Sequence, residues 1–207
     1  MVTTPREYEL QLWDGWTGAR LGEPIRCEAP ARSVAFSPDS TRMVAVEFSP
    51  SAGMLDLRTT PRIGAVMQHD VSFLKAEFNR DGSRILTKSE YDHYQIFSDK
   101  LLWDGMDGVR VGHPLRHENR IASVTFSPDG TRVLTSANGA NQPCSAQIWS
   151  GVSGNPLGDP MLHADTAEAL WSPDGARVLT ISFDRTARLW NGLTAAPFPI
   201  QYSTMTL

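Results

Sequence analysis

Between Ala167 and Trp190, apolar and polar positions alternate in runs of strand length, bounded by turn residues. Ala167–Ser172 (AEALWS) alternates small, apolar and polar residues and ends at a Pro-Asp-Gly corner, which predicts a strand entering a tight turn. Val178–Ser182 (VLTIS) is a β-branched run that predicts a second strand, Phe183-Asp184-Arg185 a tight turn, and Ala187–Trp190 (ARLW) a third strand. The preceding Asn155–Leu162 (NPLGDPML) carries two prolines and suits only an outer edge strand whose backbone donors face water. The unit so predicted is a four-stranded antiparallel sheet with its weakest strand outermost.

The same sentence is written four times. Ala122–Arg132 (ASVTFSPDGTR) and Glu168–Arg177 (EALWSPDGAR) are its clearest copies, Ser33–Arg42 (SVAFSPDSTR) and Lys75–Arg84 (KAEFNRDGSR) its weaker ones. Their corners fall at Asp39, Asp81, Asp129 and Asp174, spaced 42, 48 and 45 residues apart. A second element keeps step at Leu12-Trp13, Leu57-Arg58, Leu102-Trp103, Ile148-Trp149 and Leu189-Trp190, spaced 45, 45, 46 and 41. A period in the forties with short strands and Asp-Gly turns implies stacked small sheets that cannot bury their faces alone. Four-stranded units repeated radially make a β-propeller, so the predicted fold is all-β, built of propeller blades.

These residues resemble a family. The FSPDG corner, the V-L-T-x-S strand, D-x-T-x-R-L-W and an interposed histidine look like the WD-repeat β-propeller, over Leu10 to about Asn191. The run L-W-D-G-x-x-G-x-x-x-G-x-P-[LI]-x-[HC] at Leu12–Cys27 and Leu102–His117 is similar to bacterial WD-repeat arrays. The resemblance implies a strand order d-a-b-c within each repeat. It divides a single propeller segment, residues 1–207, into a half blade (10–26), blade one (27–68), blade two (69–116), blade three (117–162) and blade four with the tail (163–207). The tail from Thr194 sits where a last strand d belongs, although Pro197 and Pro199 weaken the match. Part of a longer propeller, a half-ring completed by a second copy through open blade edges, and a small closed ring all remain open.

The resemblance also implies a structural hydrogen-bond network of His, Ser or Thr, Asp and Trp. Blade four matches with His163, Ser182, Asp184 and Trp190. Blade three keeps His117, Ser136 and Trp149, with Pro143 at the Asp position, and blade two keeps His69, Ser89 and Trp103, with Phe97 there. Blade one has Cys27 for His and Arg58 for Trp. A recurring Ser, His and Asp also suggest acyl transfer, but that chemistry needs an open nucleophile–base–orienter line with an oxyanion hole. The repeating register sets each trio beside a Trp instead, as polar groups that satisfy one another.

Composition narrows the rest. The 207 residues carry a net charge of −4, which favours neither nucleic acid nor an anionic membrane as partner. The apolar runs are strand-sized and the first nine residues lack a signal-peptide pattern, so a cytoplasmic protein is expected. Cys27 and Cys144 form no C-x-x-C pair and read as free thiols. There is no Gly-rich phosphate loop, H-E-x-x-H or metal-ligand spacing, so no cofactor or metal is expected.

Candidate contacts come from the loops. The resemblance implies that the d–a and b–c connections share one face, usually called the top. From the position of Ser182 to that of Trp190, the b–c connections measure 8 residues in blade four, 13 in blade three, 14 in blade two and 11 in blade one, an insertion in each of the last three. The blade-two insertion carries Tyr91, His93, Tyr94 and Phe97, and the blade-three insertion Asn138 and Asn141. Arg32 and Arg120 fall in equivalent d–a loops, and Phe183 and Arg185 in the short turn of blade four. The expected function is a non-enzymatic scaffold binding a protein partner through these top-face loops. The rivals are a regulatory segment of a larger bacterial signalling protein fused to a kinase or nucleotide switch, a degenerate fragment, and a hydrolytic propeller. The last would need acids, histidines or metal ligands at the inner strand ends, where Val34, Ala35, Ala76, Val124, Ala169 and Leu170 read as a packing set.

Overall fold

A computed structural model describes residues 2–3, 8–58, 63–69, 73–89, 100–138, 144–165 and 167–203, which are strands joined by turns, bends and irregular links. No helix among them is long and apolar enough to cross a membrane. The chain divides into two compact units, Met1–Glu90 with Leu101–Arg110, and Tyr91–Lys100 with Val111–Leu207.

In the first unit, β1 (Val2–Thr3), β2 (Glu9–Trp13) and β3 (Arg20–Arg26) form a three-stranded sheet. β4 (Ala31–Phe36), β5 (Arg42–Glu47), β6 (Ser51–Asp56) and β7 (Ile63–Gln68) form a four-stranded sheet in chain order, and β8 (Phe73–Phe78), β9 (Arg84–Ser89) and β10 (Lys100–Asp104) again lie side by side. After β11 (Arg110–Leu115), the second unit holds two complete sheets in chain order. They are β12 (Arg120–Phe126), β13 (Arg132–Asn138), β14 (Cys144–Ser150) and β15 (Pro156–His163), then β16 (Ala167–Trp171), β17 (Arg177–Ser182), β18 (Thr186–Asn191) and β19 (Pro197–Ser203). Read from the first strand outward these are a, b, c and d, the four antiparallel strands of a propeller blade.

The corners explain the repeated sentence. In S-P-D-x-T-R, Ser127 Oγ donates to Asp129 over 2.5 Å and accepts the Arg132 amide over 3.0 Å, while Asp129 accepts the Thr131 amide. Ser37 with Asp39 and Ser172 with Asp174 repeat the arrangement, and Asn79 replaces the serine in the weak copy. One hydroxyl and one carboxylate thus satisfy the donors a tight turn leaves unpaired.

Two expectations about the chain's extent change. The proline-bearing tail is a strand after all: β19 pairs with β18, with Pro197 opposite Trp190, on the outer edge where a missing amide breaks no ladder. The initial half blade gains β1, whose Val2 and Thr3 pair with Leu12 and Gln11 in the position of a strand b. The innermost strands are also less buried than a packing set requires. Ala76, Val124 and Ala169 are buried, whereas Val34, Phe36 and Leu170 are exposed, because strand a lies at a sheet edge.

Blades within a unit are joined by apolar contact and by one arginine. Val44, Val46, Met54 and Met67 of one sheet share a core with Ala76, Ile85 and Trp103 of the next. In the second unit, Leu134, Ile148 and Met161 meet Ala169, Val178 and Trp190. Arg132, at the root of β13, reaches into the next blade and donates to the carbonyls of Gly175 (3.1 Å) and Gly192 (2.5 Å), while pairing with Asp129 and stacking over the Trp171 ring. Arg42 does the same in the first unit, reaching the Gly105 carbonyl and stacking over Phe78. The D-x-x-R spacing of every corner was in view as sequence, but only the fold shows that Arg42 and Arg132 cross to a neighbour, whereas Arg84 pairs with Asp104 of its own blade.

Candidate functional site

Each antiparallel blade has two ends, one made by the a–b and c–d turns and the other by the d–a and b–c connections. The second end holds the histidine network and the described candidate contact residues Arg32, Arg120, Asn138, Phe183 and Arg185.

The network is built on a threonine. Nε2 of His163 lies 2.6 Å from Thr180 Oγ1, which accepts the Trp190 indole N–H over 2.8 Å. His117, Thr135 and Trp149 repeat this at 2.6 and 2.7 Å, and His69, Thr87 and Trp103 at 2.7 and 2.8 Å. Ser182, Ser136 and Ser89 are therefore not the network hydroxyls. Ser182 donates to the Asp165 carbonyl and accepts the Asp184 amide, Ser136 bonds Ser123 across the strand, and the Ser89 side chain lies outside the described residues. The physical reason is register. The threonine stands two strand positions from the residue paired with Trp, so it points to the same face (Val178↔Trp190, Val133↔Trp149), whereas Ser136 points to the opposite one and Ser182, on the same face, lies two residues farther along the strand.

Asp184 completes blade four, its carboxylate 3.1 Å from His163 Nδ1. Burial works to raise the Asp184 pKa, but hydrogen bonds from Thr186, His163 and the Ala164 amide outweigh it and hold the group well below the usual carboxylate range. Burial also lowers the pKa of His163, with Asp184 opposing. A neutral ring that donates from Nδ1 to Asp184 and accepts the Thr180 O–H at Nε2 satisfies every member of the chain. In blade three, Ser145 takes the aspartate's role, 2.8 Å from His117 Nδ1. Pro143, expected at that position, lies outside the described residues. Thr180, Thr135 and Thr87 are all fully buried, so these hydroxyls hold a blade together and present no nucleophile to solvent.

Blade one differs from the sequence reading. Met43 pairs with Leu55, which places Leu55, not Arg58, at the Trp position and Ala45 at the Thr position. Cys27, Ala45 and Leu55 sit in or against one apolar cluster with Leu10, Ile25 and Met43. The network has thus been replaced as a set by apolar groups, which leaves no orphaned donor. Burial, with the Glu47 carboxylate beside it, pushes the Cys27 thiol up to about 11. Glu47 is itself buried and accepts the Ala29 amide over 3.0 Å. Cys27 and Cys144 form no disulfide.

The new register also shortens a loop. From Ala45 to Leu55 is ten residues, as from Thr180 to Trp190, so blade one carries no b–c insertion. Phe48 then occupies the place of Phe183. Both lie just past the end of strand b, and both project into solvent, 62% and 79% exposed. Phe48 was overlooked because the expected insertion hid its equivalence. The Arg32 guanidinium lies 5.1 Å from the centre of its ring. Arg185, two residues after Phe183, is exposed and holds a left-handed φ of 66°. In blade three, Arg120 stands directly opposite Asn138 in the β12–β13 ladder. An arginine thus flanks the b–c residue in three blades. Tyr91, His93, Tyr94, Phe97 and Asn141 lie outside the described residues. Among the described residues, no group of three or more His, Cys, Asp or Glu is placed to hold a metal ion.

Four-stranded blades with a His–Thr–Trp tie define a β-propeller repeat protein. The family described as WD domain, G-beta repeat matches residues 109–150 and 163–191, and these matches support a WD-repeat β-propeller. Among solved structures it is similar to the hydrazine synthase of Kuenenia stuttgartiensis. The likeness has 13% identity, 95% of this chain and 68% of that chain covered, and a TM-score of 0.56, and it is a likeness of fold alone. No curated protein matches the chain.

Proposed function

We propose that this protein is a non-enzymatic interaction module that binds a protein partner through the d–a and b–c end of its blades. WD40 repeats generally mediate protein interactions, and these repeats carry that family's pattern. The observation that carries the reading is the exposed phenylalanine just past strand b in the two blades with the shortest b–c turn. A side chain of that size left in solvent on a rigid turn is the kind of anchor that dominates interface energetics. The neighbouring arginine adds directional bonding to a carboxylate or carbonyl. A preformed turn also has little ordering cost on binding.

The test is site-specific photo-crosslinking in cells of the source. A photoreactive phenylalanine analogue at position 48 or 183 is expected to give a discrete protein adduct, and the same analogue at Ser40 or Asp174, in the opposite corners, none. Adducts from the corners alone would overturn the reading.

A further inference from the structure

The first strand of blade one breaks a rule that its counterparts keep. Counted back from the corner aspartates, Val34 and Phe36 correspond to Ala76 and Phe78 in β8 and to Ala169 and Trp171 in β16. Ala76 is 3% exposed and Ala169 5%, each inside a core shared with the preceding blade, and Phe78 and Trp171 pack against the same cores. Arg42 and Arg132, from the corners of those preceding blades, stack over the two aromatic rings. Val34 and Phe36, by contrast, are 37% and 42% exposed.

The cause lies in the sheet before them. Val34 pairs with Ala45 and Phe36 with Met43, so both side chains stand on the face that Ala45 and Met43 turn to the half blade, where those two share a core with Leu10, Leu12 and Ile25. In the next blade the equivalent strand β8 lies against β4 and β5, the strands a and b before it. The half blade is β1-β2-β3, in the positions of b, c and d, and among the described residues β1 is its last strand on that side. Its sheet has no strand a, and so no a–b corner to send an arginine over Phe36. One exposed valine would need no explanation, but two apolar residues in register beside an open strand edge do.

From this we infer that the edge of β1 and the side chains of Val34 and Phe36 form one strand-addition site, whose occupant is an extended segment of another protein seated as strand a. Only an extended backbone answers the N–H and C=O groups of a strand edge. Paired to β1, such a strand stands about 4.8 Å beyond it and turns alternate side chains to Val34 and Phe36. The chain fills the same position itself in two complete blades, and always with small residues. Ser33 and Ala35, paired with Val46 and Val44, lie on the face of β4 turned to blade two. Ser123 and Thr125, paired with Ser136 and Leu134, lie on the face of β12 turned to blade four. The occupant is therefore a segment with Ser, Ala or Thr at alternate positions. A second copy of this chain has no such strand to give, since β4 and β12 are already paired within their own sheets.

Fluorescence anisotropy on the whole chain tests this, with a labelled peptide of the chain's own Arg120–Phe126 (RIASVTF) as the probe. Saturable binding is expected, with the amides of Val2 and Thr3 gaining protection from hydrogen exchange. Val34→Ser/Phe36→Ser should weaken binding by about tenfold or more. If that variant fails to fold, a peptide carrying Ser123→Pro/Val124→Pro should not bind the parent chain, because successive amides of a strand point to opposite sides and one of the two must face β1. A first peptide that does not bind, or binding that these changes leave intact, overturns the inference. So does a concentration-dependent dimer that excludes the peptide, which would make a second copy the occupant. None of these outcomes bears on the crosslinks expected at Phe48 and Phe183.

Discussion

Trp190 donates its indole N–H to the hydroxyl of Thr180 over 2.8 Å, and the same hydroxyl lies 2.6 Å from Nε2 of His163. One buried oxygen therefore ties strand b to strand c and to the end of the preceding strand d. Thr180→Val keeps the shape and removes the oxygen, leaving the Trp190 indole N–H and Nε2 of His163 without their partner. The expected loss of stability is about 1–3 kcal/mol, read by denaturant unfolding. Ser182→Ala should lose less than about 1 kcal/mol. Equal losses would show that the threonine is not the hub.

Blade one answers the reciprocal question. Cys27, Ala45 and Leu55 fill the places of His, Thr and Trp with apolar groups. Cys27→His alone would set an imidazole against Ala45 and Leu55 with no hydroxyl to meet it, and should destabilise by about 1–3 kcal/mol. Adding Ala45→Thr should recover part of that loss. A double-mutant cycle with zero coupling energy would refute the set-wise replacement.

His117 makes the second unit sensitive to acid. Burial lowers its pKa from 6.5 to about 4, and its hydrogen-bond partners Thr135 and Ser145 are neutral. A group whose folded pKa is depressed contributes stability that is present above the unfolded value and lost as pH falls through the folded one. Stability should therefore fall between pH 6.5 and about 4, with a ceiling of roughly 3 kcal/mol from this group. His117→Asn should flatten that part of the curve. An unaltered slope in the variant would place the acid sensitivity elsewhere.

The repeated G-x-P glycines are not equivalent. Gly22 and Gly158 both have left-handed φ, 66° and 70°. A Cβ at Gly22 would meet nothing, whereas one at Gly158 would collide with the Thr194 carbonyl oxygen of the next blade. Gly22→Ala should cost about 1 kcal/mol, the conformational penalty alone. Gly158→Ala should cost about twice that or more, read as a larger drop in melting temperature. Equal drops would mean that the turn gives way freely.

Much of this was legible along the chain because the repeat is local. Strand-length alternation and Asp-Gly corners follow from steric and hydrogen-bonding preferences that act over a few residues, and the family resemblance placed His163, Asp184 and Trp190. The network hydroxyl was misplaced because Thr180 and Ser182 both point to one face, and alternation alone does not distinguish them. Blade one was misaligned because the 45-residue spacing favoured Leu57-Arg58, while the β5–β6 ladder pairs Met43 with Leu55.

The sequence by itself determined the kind of sheet, its corners and its repeat, since these rest on short-range patterning recurring at a fixed period. Only the tertiary structure decided cross-strand register, the reach of Arg42 and Arg132 into a neighbouring blade, and the emergence of Val34, Phe36 and Phe48 into solvent. The reason is that register and exposure depend on which backbone pairs with which across long stretches of chain, and one residue's slip turns every side chain to the other face.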